Sequence, residues 1–152
     1  MSAPTLPEAL EAEHRQIDGG IEEYLASLDA DPLIAAMAGL RRHIYLEEAF
    51  LFPPLKDAGL TMPIFVMLRE HGELWDAMDA IDRLVTDRSD EDATRQAATD
   101  LLALLDKHNS KEEPIIYPRA DAVLGAEASD DLLAFLADGR TPDGWVCARA
   151  GE

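Results

Sequence analysis

Apolar residues recur at intervals of three and four along most of the chain, and this period predicts α-helices. The first such stripe covers residues 6–28. Thr5 precedes it and Glu8 follows three positions later, which is the pattern of a helix N-cap with a capping box. Gly19 and Gly20 interrupt the stripe at a cost of about 1 kcal/mol each relative to alanine. We predict one helix there, with the glycine pair as its weakest point.

Three further apolar stripes follow, and each comes directly after residues that commonly start a helix. Asp31 with Pro32 predicts a cap followed by a first-turn proline. Thr61 and Ser89 mark the other two starts, and we interpret Ser89 as a cap. The chain is therefore expected to contain four long helices.

Prolines lie inside two of these stripes. Pro53 and Pro54 fall near the end of the second stripe, and Pro114 falls in the fourth. Because proline lacks a backbone N–H and its ring crowds the preceding turn, we expect a bend or a break at each place.

Toward the C-terminus the apolar pattern weakens. Residues 129–139 predict a short fifth helix, and residues 145–152 form a tail of uncertain order.

Four long amphipathic helices joined by short connections predict an all-α fold, an up-and-down four-helix bundle with a short additional C-terminal helix. We place the bundle in residues 1–120. The short helix and tail, residues 121–152, are expected to pack on the bundle or to trail from it. A chain of 152 residues is long enough to bury a substantial core.

The net charge of the chain excludes some classes of binding partner. Acidic residues outnumber basic ones by 31 to 13, which gives the chain a formal charge of -18. Such a surface repels nucleic acid phosphates and anionic lipid heads, so we exclude nucleic acid and membranes as partners. The sequence begins without the pattern of a secretory leader, and no apolar run is long enough to cross a bilayer. The expected location is the cytoplasm.

Cys147 is the only cysteine, so an internal disulfide and a zinc site built on cysteine are both excluded. On a mobile C-terminal tail, this thiol is expected to be inert rather than a redox switch. Any metal site in this chain must therefore use nitrogen and oxygen ligands.

One polar motif occurs twice and combines histidine with glutamate. His43 is followed by Glu47 at the fourth place, and His108 is followed by Glu112 in the same way. In both copies a second glutamate comes next and a proline stands at the tenth place. Residues four apart share one face of a helix, so each histidine and its glutamate point together. The wider repeat comprises two series: Thr5, Pro7, His14, His43, Glu47, Glu48 and Pro53, then Thr61, Pro63, His71, His108, Glu112, Glu113 and Pro118.

Each of the four long helices holds one histidine, on its apolar stripe and near its middle. A single histidine in such a place is usually an ordinary core residue. Four imidazoles and two carboxylates in one buried layer are different, because desolvating each carboxylate costs several kcal/mol without a compensating charge. A bound metal supplies that charge. The other alternative, surface placement of all six, contradicts the periodicity.

The ligand types narrow the choice of metal. Structural zinc favours four ligands, often with sulfur, and calcium and magnesium favour shells of oxygen alone. Imidazole mixed with carboxylate suits iron, with manganese as the second choice. Six residues exceed what one ion with an open position needs, so we expect two ions. Glu47 and Glu112 would bridge them, with one imidazole pair on each ion.

These paired motifs resemble those of the haemerythrin-like, or HHE cation-binding, family, over about residues 5–120. The resemblance implies a non-haem di-iron centre inside a four-helix bundle, with two iron ions bridged by an oxo or hydroxo group and by two carboxylates. The metal ligands implied by the resemblance are His14, His43, Glu47, His71, His108 and Glu112.

One position departs from the oxygen-carrying members of that family, which have a fifth histidine four places before His71. Met67 stands there, and its thioether is a poor ligand for ferric iron. One iron should then have an additional open site. The set of four histidines and two glutamates is similar to that of relatives that handle nitric oxide, peroxide or iron release.

The resemblance therefore implies a di-iron protein that binds or turns over nitric oxide, hydrogen peroxide or dioxygen, in oxidative or nitrosative stress. A peroxidase-like, catalase-like or nitric oxide-handling activity follows from this interpretation. A non-catalytic iron or oxygen sensor, or a carrier, is the alternative, and a purely structural metal is a third. A homodimer is left open.

Polar residues near the predicted ligands are expected to lie outside the metal shell. Glu48 and Glu113 point about 100° away from the predicted ligands and are expected to be solvated or hydrogen-bonded outside the metal shell. Exchange of either with its neighbouring glutamate as ligand remains open. Asp18 lies four places after His14, where it could orient the imidazole or pair with a cation at the surface. Tyr117 is expected to serve as a packing residue.

Overall fold

The structure is a computed structural model, and it describes residues 3–88 and 90–152. Within these residues all regular structure is helical. The helices are α1 (Leu6–Ser27), α2 (Ala30–Leu46), α3 (Phe52–Asp57), α4 (Thr61–Asp87), α5 (Glu91–Lys111) and α6 (Tyr117–Asp138). A first π turn (Glu47–Leu51) joins α2 to α3, and a second π turn (Glu112–Ile116) joins α5 to α6.

The four long helices α1, α2, α4 and α5 form a closed ring. Helix α1 packs against α2 and α5, and α4 packs against α5 and α2. Short connections link successive helices, so the predicted all-α, up-and-down four-helix bundle is confirmed. None of the helices in residues 3–88 and 90–152 combines the length and apolar character that crossing a bilayer requires.

Helix α1 begins as its sequence predicts and passes through its glycine pair without a break. The Thr5 side chain accepts from the Glu8 amide, and the Glu8 carboxylate accepts from the Thr5 amide. A Cβ atom built on Gly20 would lie 2.8 Å from the Cβ of Ala36 on α2. The absence of a side chain at this glycine therefore lets α1 and α2 approach closely.

The other helix starts differ in detail from the prediction. Asp29 caps α2, since its carboxylate accepts from the Asp31 amide, so Asp31 lies in the first turn and is not the cap. Helix α4 begins at Thr61 as expected, without a side-chain cap. The predicted cap at Ser89 lies outside the described residues, and Asp90 accepts from the amide of the third helical residue of α5.

The prolines widen the helix instead of breaking it. In the first π turn the Phe52 amide donates to the Glu47 carbonyl, five residues earlier, and in the second the Tyr117 amide donates to the Glu112 carbonyl. A π turn inserts one extra residue into a continuous helix, and such turns are frequent at functional sites. The chain therefore does not break at these prolines, and each predicted glutamate ligand opens a π turn.

Two apolar clusters fill the bundle on either side of a buried polar layer. On α1, Leu10 belongs to one cluster and Ile17 to the other, with His14 between them. On α4, Met67 and Leu74 flank His71 in the same way. The polar layer thus crosses the middle of the core, where unpaired charge is most costly.

The C-terminal region is better ordered than the sequence pattern suggests. Helix α6 kinks at Gly125, which has a positive φ of 80°, and its second part is the predicted short helix with an earlier start. Cys147 is only 4% exposed and lies in an apolar cluster, so the expectation of a mobile tail was wrong. Burying the thiol and the neighbouring indole ring of Trp145 against α4 holds this segment down. The division of domains at residue 120 stays a prediction.

Candidate metal centre

The six residues singled out from the sequence come together in the polar layer. They form two groups whose candidate ligand atoms all lie within 4.8 Å of one another. All six side chains are at most 4% exposed. The first group consists of His14, His43, Glu47 and Glu112, and the second consists of Glu47, His71, His108 and Glu112.

Each shared glutamate places one carboxylate oxygen in each group. Glu47 Oε2 lies 3.3 Å from His43 Nε2, and Glu47 Oε1 lies 3.1 Å from His71 Nε2. Glu112 Oε1 lies 3.1 Å from His14 Nε2, and Glu112 Oε2 lies 3.3 Å from His108 Nε2. This is the arrangement that two carboxylates bridging a pair of ions require.

Each imidazole is held in place by a further carboxylate, which hydrogen-bonds the ring nitrogen facing away from the centre. Because an ionised carboxylate only accepts hydrogen bonds, each Nδ1 carries the proton and donates it outward. Once Nε2 has lost its proton, its lone pair is directed toward the centre, which is the tautomer that a metal ligand needs. The four pairs are His14 with Glu113 at 2.7 Å, His43 with Glu13 at 2.8 Å, His71 with Glu48 at 2.8 Å, and His108 with Glu70 at 2.9 Å.

Two of these outer carboxylates were expected and two were missed. Glu48 and Glu113 hydrogen-bond the histidines, one of the two roles expected for them. Glu13 and Glu70 were not singled out, although each directly precedes a histidine in the two-fold repeat. That repeated Glu-His pair was the signal. Asp18 does not orient the first histidine, since Glu113 occupies its Nδ1.

Tyr117 has a role that sequence reasoning missed. Its ring packs near His14, with centroids 5.4 Å apart, but its hydroxyl reaches into the first group. The Oη atom lies 2.7 Å from Glu47 Oε2, 2.8 Å from Glu112 Oε1, 2.9 Å from His14 Nε2 and 3.0 Å from His43 Nε2. One hydroxyl proton faces four potential acceptors, so Tyr117 alone cannot satisfy all of them.

Ion pairs outweigh burial in setting the protonation of the centre. Burial alone favours neutral groups, but Glu112 and Glu70 raise the pKa of His108 to about 10. Burial likewise opposes ionisation of Glu112, yet His108 and His14 hold the pKa of that carboxyl well below its usual range. Without a cation, His108 pairs as an imidazolium with the carboxylates of Glu112 and Glu70. A metal that binds here must therefore displace imidazole protons.

Unpartnered atoms indicate that the residues suit a cation. Glu47 Oε1, His71 Nε2 and Glu112 Oε2 are buried and make no contact of hydrogen-bond geometry among the described residues, although Glu47 Oε1 and His71 Nε2 lie only 3.1 Å apart. All three belong to the second group. Buried polar atoms without partners are rare because their desolvation is costly, and a positive ion would satisfy all three at once.

These features define a class of protein, a helical bundle that holds metal between its four main helices. The family model described as Hemerythrin HHE cation binding domain matches residues 5–120. The match covers most of the chain, and the chain belongs to this family. No curated protein and no solved structure matches it. The predicted family is confirmed and with it a metal cofactor, while the assignment of the six individual ligands stays a prediction.

Proposed function

We propose that this protein is a non-haem di-iron protein that binds or turns over a small ligand, namely nitric oxide, hydrogen peroxide or dioxygen. The role we propose for it is in oxidative or nitrosative stress. The observation that carries the proposal is the sharing of Glu47 and Glu112 between two groups, with one oxygen of each carboxylate in each group. A single ion would leave half of these oxygens unused.

The ligand set favours iron over other metals. Four imidazole nitrogens and two carboxylates form a mixed nitrogen and oxygen shell, which suits iron, with manganese as the second choice. Each ion would receive two imidazoles and an oxygen from each of two glutamates. When bound, a pair of iron ions supplies positions for a small ligand and two electrons in total.

Burial supports a small ligand. The six inward residues are at most 4% exposed, so only molecules of a few atoms can approach them. A groove of about 430 Å³ leads toward the first group and is lined in part by His14, Asp18 and Glu113. An apolar recess of about 260 Å³ lies at Met67 and Ile116, beside the second group.

The side chains of this centre have distinct tasks in the proposed reaction. The outer carboxylates orient the four imidazoles, and the two apolar clusters exclude bulk water. Tyr117 Oη holds a proton at the first group, within 3.0 Å of four inward atoms. We assign this hydroxyl as the proton donor to a bound ligand.

Metal analysis with absorption spectroscopy tests the proposal. Protein loaded with ferrous iron under anaerobic conditions and then oxidised should retain about two ions per chain, one for each group. It should show a charge-transfer band from an oxygen ligand to iron. Stoichiometric zinc and a featureless spectrum in protein as purified would contradict the proposal, because zinc has a filled d shell and no redox chemistry; so would failure of the loaded protein to retain two ions.

A sensor or carrier is the second candidate, and one contact favours it. The Ala148 amide, close to the C-terminus, donates to Glu48, which in turn accepts from His71. Metal occupancy could thus be passed to a surface segment. Adding peroxide or nitric oxide to the iron-loaded protein separates the two candidates. Repeated turnover supports the enzyme, whereas one stoichiometric spectral change supports the sensor or carrier.

A further inference from the structure

The C-terminal segment, residues 145–152, lies outside the family match and reaches the candidate metal centre from outside. The Ala148 amide donates to Glu48 Oε1 at 2.9 Å. The other oxygen of the same carboxylate, Oε2, accepts from His71 Nδ1 at 2.8 Å. A chain of two hydrogen bonds therefore runs from the tail backbone to an imidazole whose Nε2 belongs to the second group.

Packing on both sides of Ala148 holds the segment in this place. The Trp145 ring meets Trp75 at 5.5 Å between centroids, in an edge-to-face arrangement. Cys147 is buried in an apolar cluster, and the Gly151 amide donates to Asp76 Oδ1 at 2.9 Å. These contacts set the position of the Ala148 amide, and none of them is made by a side chain of the two ligand groups, although Cys147 Sγ also donates to the His71 carbonyl at 3.7 Å.

Gly72, the residue after His71, is fitted to the same segment. A Cβ atom built there would lie 2.5 Å from the Arg149 carbonyl oxygen, a distance that real Cβ atoms essentially never show. Any side chain at this position would push the tail away from α4. The helix that carries His71 therefore has space for the tail directly beside the histidine.

The two halves of the repeat differ at this point. Glu48 is covered by the tail, and its side chain is 6% exposed. Glu113, the equivalent residue in the other half, is 35% exposed and bonds only His14 among the described residues. The carboxylate that orients His71 is thus held from both sides, while the one that orients His14 is held from one.

We propose that residues 145–152 are a positioning element for the second group of the metal centre. The Ala148 amide fixes the Glu48 carboxylate, which fixes the ring of His71 and directs Nε2 at the ion. The tail thereby raises the metal affinity of the second group and leaves that of the first unchanged. This inference rests on the proposed function, because it requires that the centre binds metal.

Ala148→Pro tests the proposal by removing the hydrogen bond between the tail and Glu48. Ala148 is the second residue of a turn closed by a hydrogen bond from the Ala150 amide to the Cys147 carbonyl, at 3.3 Å. Proline is favoured at this turn position, and it replaces the amide proton that reaches Glu48 with a ring carbon, so it removes the hydrogen bond and displaces the carboxylate. Ala148→Ser is the matched control, since the side chain is exposed and the amide remains.

Anaerobic titration with ferrous iron against a competing chelator measures the two stepwise affinities. We expect Ala148→Pro to weaken one of the two by about 10-fold, the lower end of the range for partners that orient a metal-bound histidine. Ala148→Ser should change neither. If the proline variant unfolds, deletion of residues 148–152, which retains Trp145 and Cys147, should give the same selective loss.

Double variants show which carboxylate carries the effect of the tail on iron affinity. In a Glu48→Ala background, Ala148→Pro should weaken the iron affinity of the second group by less than about a further 2-fold, because the tail acts through that carboxylate. In a Glu113→Ala background it should retain its full effect. Equal weakening of both ions, an undiminished effect without Glu48, or no effect of the proline and the deletion would each overturn the proposal.

A readout on protein stripped of metal separates this inference from the proposed function. The Nδ1 proton of His71, held by Glu48, should give a low-field NMR signal that exchanges faster in Ala148→Pro than in Ala148→Ser. If iron does not bind the parent protein, the proposed function fails while this signal still reports the contact. If iron binds and the proline variant matches its control in both measurements, only the positioning role fails.

Discussion

At the scale of single residues, the Tyr117 hydroxyl is the group whose removal is most informative. Tyr117→Phe keeps the ring against His14 and removes only the Oη atom at the first group. We expect two ions still to bind and the rate of reaction with peroxide to fall by about 100-fold, as for loss of a positioned proton donor. Stopped-flow absorption measures this rate.

Tyr45→Phe is the control for that variant, because the Tyr45 ring packs on Phe50, Phe135 and Trp145, away from the centre. Its rate should equal that of the parent protein. An unchanged rate in Tyr117→Phe would remove the hydroxyl from the reaction and leave it a packing role.

The shared carboxylates and the single histidines should differ in what their loss removes. Glu47→Ala deletes an oxygen from each group, so we expect the retained iron to fall below one ion per chain. His71→Ala affects only the second group and should leave about one ion. Metal analysis after gel filtration measures both. Glu22→Ala, on the exposed face of α1, is the control and should retain both ions, and equal losses in Glu47→Ala and His71→Ala would contradict the shared arrangement.

Residue-level chemistry was only partly readable from the sequence. The six inward residues follow from helical spacing and from the two-fold repeat. The Tyr117 hydroxyl does not, since the equivalent Phe52 stacks on His71 with centroids 5.3 Å apart and the ring positions correspond. Packing predicts where such a ring lies but not which polar atoms its para position reaches.

At the scale of elements, the glycine pair in α1 gives a prediction with an internal control. Gly20→Ala places a methyl group 2.8 Å from the Cβ of Ala36 and 3.0 Å from the Pro32 carbonyl, so we expect a loss of about 1–3 kcal/mol in the free energy of unfolding. A methyl group at Gly19 would have nothing within 4 Å, and Gly19→Ala should stabilise the helix by about 0.5–1 kcal/mol.

Urea unfolding of both variants measures this difference. A stabilising Gly20→Ala would mean that α1 and α2 can separate at no cost, contrary to the close approach described for them.

Element boundaries were predicted where a local signal exists. The capping box at Thr5 and the start of α4 at Thr61 are carried by a few adjacent residues, and both are present. The π turns were not predicted, because proline limits one turn of the helix without determining how the chain adapts. The docking of the tail has no periodic signal, since it depends on contacts of Trp145 and Cys147 with distant helices.

At the scale of the whole molecule, protein stripped of metal should be most stable in a narrow pH range. The raised pKa of His108, about 10 against an ordinary 6.5, contributes stability that is complete below 6.5 and lost as pH rises toward 10. Burial works against ionised Glu70, but His108 and Lys111 lower its pKa from 4.5 to about 2. That contribution is complete above 4.5 and lost as pH falls toward 2.

The expected maximum therefore lies between about 4.5 and 6.5. Thermal unfolding of chelator-treated protein between pH 3 and 10 measures it. Iron-loaded protein should lose less stability on the alkaline side, because metal binding requires neutral imidazoles. If the thermal unfolding midpoint of the metal-free protein rose steadily from pH 5 to pH 10, this would contradict the ion pairs described for the centre.

Metal bound in the polar layer between the two apolar clusters would cross-link the main helices of the bundle. With one cysteine, the protein has no covalent bridge between distant segments. Coordination by side chains from α1, α4, α5 and the end of α2 would link these four helices at one level of the bundle, as a pair of disulfides would. Such a fastening would be undone by a chelator rather than by a thiol reductant, and it would hold in a reducing environment where disulfides do not persist.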